Sequence, residues 1–265
     1  MTDLHLRPAG RLAYGRVDSN EMATRALNAA AVYKAEISAV IITGDLTDCG
    51  LADEYGELEH RLKILAHMPV FLIPGNHDRR DAIWHNFPEL PNNGGFIQYV
   101  VDDFPVRLIM LDTVVAGATH GYLCEWRLNW LQRILSEQPE RETMIAMHHP
   151  PLLTGIRQFD DIALENLAAF KNVIAAHPQV SRIICGHHHR MIFGNVAQAT
   201  CIVAPAIAYQ FELHHDPRVE VGFVSEPSMF LLHDWSQAGG FISHGIYIDP
   251  FPGPFPVLLE PEYPG

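Results

Sequence analysis

Cysteine and positive charge are scarce in this sequence, and long apolar runs are missing. The four cysteines, Cys49, Cys124, Cys185 and Cys201, stand far apart with no Cys-x-x-Cys pair. That spacing argues against a thiolate zinc site or a disulfide framework and fits reduced thiols used for packing, Cys49 included. Lysine and arginine number 18 against 31 aspartates and glutamates, a formal charge of −13. A surface of that sign repels a nucleic-acid backbone, so no nucleic-acid polymer is expected as a partner. No stretch reaches the roughly 18 apolar residues that a membrane span needs, and the opening residues lack a basic segment followed by an apolar one. The expectation is a cytoplasmic protein without membrane contact.

With 265 residues and 48% of them hydrophobic, the chain can bury a sizeable core. Ser19 is placed to cap a helix carrying Met22, Ala26, Ala29 and Tyr33 on one face, and "ISAVIITGD" then reads as a buried strand. A second helix aligns Tyr55, Leu58, Leu62 and Leu65 before the strand in "MPVFLIPGNHD". Strand-like runs follow in "GGFIQYVV", "VRLIMLDT", "TMIAMHHPP" and "SRIICGHHH", with helices over 125–137, where Trp126, Trp130 and Ile134 align, and around 161–176. This alternation predicts a layered α/β fold, in which ligands gather at the carboxyl ends of strands. From residue 205 the texture changes to short strands and a proline-dense tail, "DPFPGPFPVLLEPEYPG". The expected division is a core over 1–204 and a C-terminal region over 205–265.

Histidine is the abundant residue, 16 in all, several clustered where an apolar run ends. In order the clusters are Asp3-x-His5, Gly44-Asp45, Gly75-Asn76-His77-Asp78, His148-His149-Pro150 and Gly186-His187-His188-His189. Carboxylates, one amide oxygen and several imidazoles suit borderline divalent ions such as Mn, Fe, Zn or Co, whereas Mg and Ca call for more oxygen. With Asp45 shared, Asp3, His5, Asp45, Asn76, His148, His187 and His189 suffice for two ions. Gly44, Gly75 and Gly186 are expected to let the backbone turn sharply. Asp78 is expected to cap the following helix, and His149 and His188 to sit behind the ligands or face substrate.

The order and spacing of these clusters resemble the calcineurin-like metallophosphoesterase superfamily over nearly the whole chain. The resemblance implies a four-layer αββα sandwich with a small C-terminal cap. It implies one metal on Asp3, His5, Asp45 and His189 and a second on Asp45, Asn76, His148 and His187, with His77 contacting the phosphate or assisting the leaving group. The position where purple acid phosphatases carry a tyrosine ligand is Asp48, and "GDLTDCG" lacks the arginine-containing stretch of the protein phosphatases. "GDLTDCG", "IPGNHD", "MHHPPL" and "CGHHHR" are similar to the class III cyclic-nucleotide phosphodiesterases and their glycerophosphodiesterase-like branch. The activity implied is hydrolysis of small phosphodiesters by a metal-bridged hydroxide, with Asp45, Asn76 and His77 at the reacting centre. A monoesterase of the same fold and a non-catalytic scaffold are the alternatives. Related phosphodiesterases assemble through C-terminal caps, so a homo-oligomer is implied. Because only Met1 and Thr2 precede Asp3, the Asp3 and His5 ligands are expected to be loosely held.

Overall fold

The computed structural model describes residues 1–257. Two sheets face each other, and the parity of their side chains sets the layers. In the first, β1 (Val40–Thr43) pairs in parallel with β2 (Val70–Ile73). Val40, Ile42 and Leu72 point outward into a core shared with α1 (Ser19–Val32), α2 (Ala52–Leu62) and α3 (Arg80–Asn86), whereas Ile41, Phe71 and Ile73 point inward. The second sheet comprises β3 (Tyr99–Val101), β4 (Arg107–Leu111), β5 (Thr143–Met147), β6 (Val180–Cys185), β7 (Ile192–Val196) and β8 (Ala199–Val203), ordered β3-β4-β5-β6-β8-β7. Its four central strands are parallel and β3 and β7 are antiparallel edges.

Leu108, Met110, Met144, Ala146 and Ile184 meet the first sheet's inner face. Their neighbours Ile109, Leu111, Ile145, Met147 and Ile183 pack under α4 (Glu125–Glu137) and α6 (Leu167–Ala175). Burial on both faces explains why these strands read as continuous apolar runs. The layers are therefore helix, sheet, sheet, helix, as the resemblance implies. A one-turn α5 (Arg157–Asp160) precedes α6.

Beyond residue 204, Ile207, Phe230 and Ile248 enter the first core, and Trp235 and Phe241 line the space between the sheets. The strands here are β9 (Gln210–Phe211), β10 (Phe223–Val224) and the hairpin of β11 (Met229–Ser236) and β12 (Gly240–Tyr247). The tail residues Leu258 and Leu259 lie outside the described residues. Among the described residues no helix is long and apolar enough to cross a membrane.

Several local expectations are corrected. Asp18, not Ser19, caps α1 by accepting the Glu21 amide, because the Ser19 hydroxyl donates to the His5 carbonyl at 2.6 Å. The buried face of α1 is Ala23, Ala26, Leu27 and Ala30, with Met22, Ala29 and Tyr33 half-buried. Trp130 and Ile134 are buried as expected, while Trp126 in the first turn of α4 is 44% exposed, lying on Phe96. Cys49 is exposed beside Arg7 and Asp48 rather than packed.

Candidate metal centre

All the polar clusters converge at one end of the strands. Asp45 follows β1, Asn76 follows β2, His148 follows β5, and His187 and His189 follow β6. Asp3 and His5 come from the opening segment, which runs beside β1. The Thr43 amide donates to the Met1 carbonyl, and the Asp3 and His5 amides donate to the carbonyls of Gly44 and Asp45 at 3.1 and 3.0 Å. Asp3 is 0% and His5 1% exposed. The expected looseness is therefore absent; main-chain bonds fix both side chains as firmly as a central strand would.

Five of the seven candidates lie in the left-handed region: Asp3 (φ 52°), His5 (46°), Asp45 (46°), His187 (73°) and His189 (48°). For residues with a Cβ this costs roughly 1 kcal/mol or more each, and it persists where a site requires it. Of the three motif glycines only Gly44 has a positive φ, at 93°. Gly75 and Gly186 serve by absence: a Cβ on Gly75 would overlap the Asp45 side chain, and one on Gly186 would overlap Thr2 and lie 2.6 Å from Asp3 Oδ2. The expectation of a sharp turn holds for Gly44 alone.

The ligand atoms of Asp3, His5, Asp45 and His189 lie within 4.8 Å of one another. His5 Nδ1 donates to Asp48 Oδ1 at 3.0 Å and His189 Nδ1 donates to the Tyr209 carbonyl at 2.8 Å. Both partners can only accept, so each neutral ring carries its lone pair on Nε2. Those two Nε2 atoms face each other at 3.1 Å, with Asp45 Oδ2 3.6 Å from one and Asp3 Oδ1 3.4 Å from the other. Acceptors converging in a buried space repel unless a cation lies between them, so the donor set fits a metal.

The second cluster repeats the arrangement. His148 Nδ1 donates to the Thr43 carbonyl at 2.7 Å, and its Nε2 meets Asn76 Oδ1 at 3.1 Å and Asp45 Oδ2 at 3.4 Å. His187 Nε2 donates to the Ile162 carbonyl at 2.9 Å, so the lone pair of the neutral ring lies on Nδ1, and the ring stands 4.9 Å from that of His148. Burial opposes charge on His148, yet the Asp45 carboxylate raises it to about 9; burial also opposes charge on Asp45, and His148 and its neighbours hold it well below the usual carboxylate range. Burial and His148 keep His187 neutral. Asp45 thus stands between the clusters, as a shared ligand must.

His77 lies at the rim, half-buried. Its amide donates to Asp45 Oδ1 at 2.9 Å and its Nδ1 to the Asp48 carbonyl at 2.6 Å. Burial opposes its charge, but Asp45 and Asp48 raise it above the usual histidine value. Asp78 does not cap α3. Its buried carboxylate accepts from the amides of Leu46, Thr47 and Gly75 and from the Thr47 and Tyr55 hydroxyls. His149 is buried with its Nδ1 2.7 Å from Thr113 Oγ1, and it offers a ring nitrogen within 4.8 Å of those of His148 and His187, while His188 stacks on Phe159 at 5.0 Å.

The sequence pattern hides the work of Asp48, which there marks only a position without a tyrosine. The carboxylate orients His5 and is itself held by Arg7 Nη1 at 3.0 Å, and Arg7 also reaches Glu54 at 3.1 Å. The available signal was an acid three positions after Asp45, in a turn that brings it back beside His5.

Comparison with known proteins agrees with this geometry. The family model for calcineurin-like phosphoesterase matches residues 1–191. A protein of Arcobacter nitrofigilis named "Probable glycerophosphodiester phosphodiesterase GpdQ" is 32% identical over 98% of this chain and 96% of its own length. One of Rhodopseudomonas palustris named "Probable cyclic nucleotide phosphodiesterase RPA0124" is 37% identical over 73% of this chain and 72% of its own. Among solved structures, a dimetal phosphatase from Danio rerio superposes with a TM-score of 0.60 at 15% identity, covering 85% of this chain and 97% of that one, and shares the fold.

Proposed function

The chain belongs to the calcineurin-like phosphoesterase family, and from that premise we propose that its strand-end cluster hydrolyses small phosphodiesters, glycerophosphodiesters or 3',5'-cyclic nucleotides. It is a metal-dependent phosphodiesterase. The observation that carries the residue assignment is the convergence of imidazole lone pairs and carboxylates at 3.1 to 3.6 Å. Asp3, His5, Asp45 and His189 would hold one divalent ion, and Asp45, Asn76, His148 and His187 a second, drawn from Mn, Fe, Zn or Co. When bound, such ions polarise phosphoryl oxygens and bring the pKa of a water towards neutrality.

The chain's own groups do the rest. Asp45 sets the spacing of the two ligand sets. The Asp48, Tyr209 and Thr43 oxygens fix His5, His189 and His148 in the tautomer that presents Nε2. His77, when charged, donates from Nε2 to a phosphate oxygen or to the departing oxygen.

The test is turnover of bis(p-nitrophenyl) phosphate and of the corresponding monoester after loading with Mn, Co or Zn, with metal analysis of the same samples. Diester turnover ahead of monoester turnover is expected. A protein that binds metal and cleaves neither ester is a scaffold, and one that prefers the monoester is a phosphatase; either result replaces this reading.

Residues from 205 onward are assigned to covering the site and to self-association. Ile242, Tyr247, Phe251 and Phe255 are 54%, 48%, 60% and 76% exposed, and among the described residues β12 pairs only with β11. An open strand edge beside exposed apolar side chains suits pairing with a second copy.

A further inference from the structure

Beside the metal centre stands a small hairpin whose tip has no part in the ligand network. The Ala13 and Val17 amides donate to each other's carbonyls at 2.8 and 3.0 Å, and Ala13 is buried against Ala208 and Tyr209, so the base is rigid. At its tip Tyr14 is held at φ 49°, a conformation unfavourable for a ringed side chain, and is nevertheless 60% exposed. Strain of this kind collects where ligands bind.

The ring does not stand alone. It stacks on Phe223 with centroids 5.1 Å apart and planes at 19°, and meets Tyr209 edge-on at 5.3 Å. Tyr209 lies 5.3 Å from the His5 ring. A continuous aromatic path therefore leads from the His5 ring through Tyr209 to Tyr14, in two ring-to-ring steps of 5.3 Å each.

We propose that Tyr14, backed by Phe223, is the platform on which a planar ring carried by the phosphodiester stacks, so that the site takes 3',5'-cyclic nucleotides in preference to ringless glycerophosphodiesters. This rests on the phosphodiesterase reading and names its substrate class. Stacking on an aromatic ring needs only the π-face of a base, so losing the ring is expected to weaken nucleotide binding about tenfold. Glycerol offers no π-face and gains nothing from the ring.

The experiment measures binding of AMP and of glycerol 3-phosphate to the metal-loaded protein by calorimetry, for the wild type, Tyr14→Ala and Tyr14→Phe, alongside kcat and KM for cyclic AMP and glycerophosphoethanolamine. Tyr14→Ala should weaken AMP about tenfold and glycerol 3-phosphate by less than twofold, raise KM for cyclic AMP more than it lowers kcat, and be rescued by Tyr14→Phe. Equal losses for both ligands, or an AMP affinity that does not change, overturn the platform. A wild type that prefers AMP in this Tyr14-dependent way yet cleaves no diester leaves the platform standing and removes the enzymatic reading.

Discussion

Asp78 and Thr47 are joined twice through one oxygen: Asp78 Oδ1 accepts the Thr47 amide at 3.1 Å and its hydroxyl at 3.0 Å. The other oxygen accepts the amides of Leu46 and Gly75 at 3.0 and 2.8 Å. One buried carboxylate thus ties the loop that carries Asp45 to the loop that carries Asn76. An asparagine in its place turns an NH₂ towards amide donors and leaves them unpaired, at about 1–3 kcal/mol each. Asp78→Asn should therefore lower unfolding stability by about 2–4 kcal/mol in urea titrations and weaken metal binding without touching a ligand. Unchanged metal affinity in this variant would show that the two loops are positioned independently.

Removing metal should destabilise the protein more than any single surface substitution does. Without a cation the facing Nε2 atoms of His5 and His189, 3.1 Å apart, keep their mutual repulsion. With free ion at about a hundred times Kd, binding adds roughly 2.7 kcal/mol to stability. Thermal melts with and without EDTA should differ accordingly, and restoring Mn or Zn should recover the upper transition. Coincident melts would mean that the acceptors are satisfied by protons alone.

Asp45→Ala and Asn76→Ala should each remove most turnover of bis(p-nitrophenyl) phosphate, with the larger loss in Asp45→Ala. Asp45 faces His5 at 3.6 Å and His148 at 3.4 Å and so belongs to both clusters, whereas among the described residues Asn76 meets His148 alone, at 3.1 Å. Metal analysis should find both ions affected in the first variant and one in the second. Wild-type rates in both variants with metal content intact would sink the two-metal arrangement.

The strand-end clusters and the layered fold were legible because both are local patterns. A strand buried on both faces reads as an apolar run, and a Gly, Asp, Asn or His directly after it reads as a strand end. What stayed hidden depends on partners far along the chain. Ser19 looks like a cap until the His5 carbonyl takes its hydroxyl, and Asp78 looks like a cap until Leu46, Thr47 and Gly75 surround it. β7 and β8 are hidden as well, since "FGNVAQAT" mixes polar and small residues, and they are strands because β8 pairs with β6 and β7 with β8. The firmness of Asp3 and His5 was equally invisible, because it comes from Gly44 and Asp45 carbonyls rather than from neighbouring sequence.

Two glycine substitutions should separate space from conformation. Gly186→Ala places a methyl against Thr2 and 2.6 Å from Asp3 Oδ2, so the Asp3 ion should be lost while the ion at Asn76 and His148 is retained. Gly56→Ala, in the middle of α2 with no atom within 4 Å of the new Cβ, should raise stability by up to about 1 kcal/mol and leave turnover alone. Equal metal content in wild type and Gly186→Ala would mean that the opening segment yields to the methyl, against its hydrogen bonding.

Self-association is the prediction that rests most on exposed surface. Phe251, Phe255 and Val257 are 60%, 76% and 92% exposed, and Ile242 and Tyr247 on the neighbouring hairpin 54% and 48%. Scattered apolar side chains are ordinary on a surface, but aromatic residues gathered beside an open strand edge mark a contact region. The segment cannot bury these side chains by folding on itself, because its prolines at 250, 252, 254 and 256 withhold backbone donors and hold the chain extended. A second copy offers both the strand to pair with and the apolar surface to cover. Light scattering at micromolar concentration should therefore give a mass that is a multiple of 29.7 kDa. Removing the residues from 249 onward should lower that mass. Because this region is also assigned to covering the site, the truncated protein should gain more turnover on bulky diesters than on small ones. A full-length protein that scatters as a single chain would remove the assembly, and a truncation that leaves the substrate preference unchanged would remove the covering role.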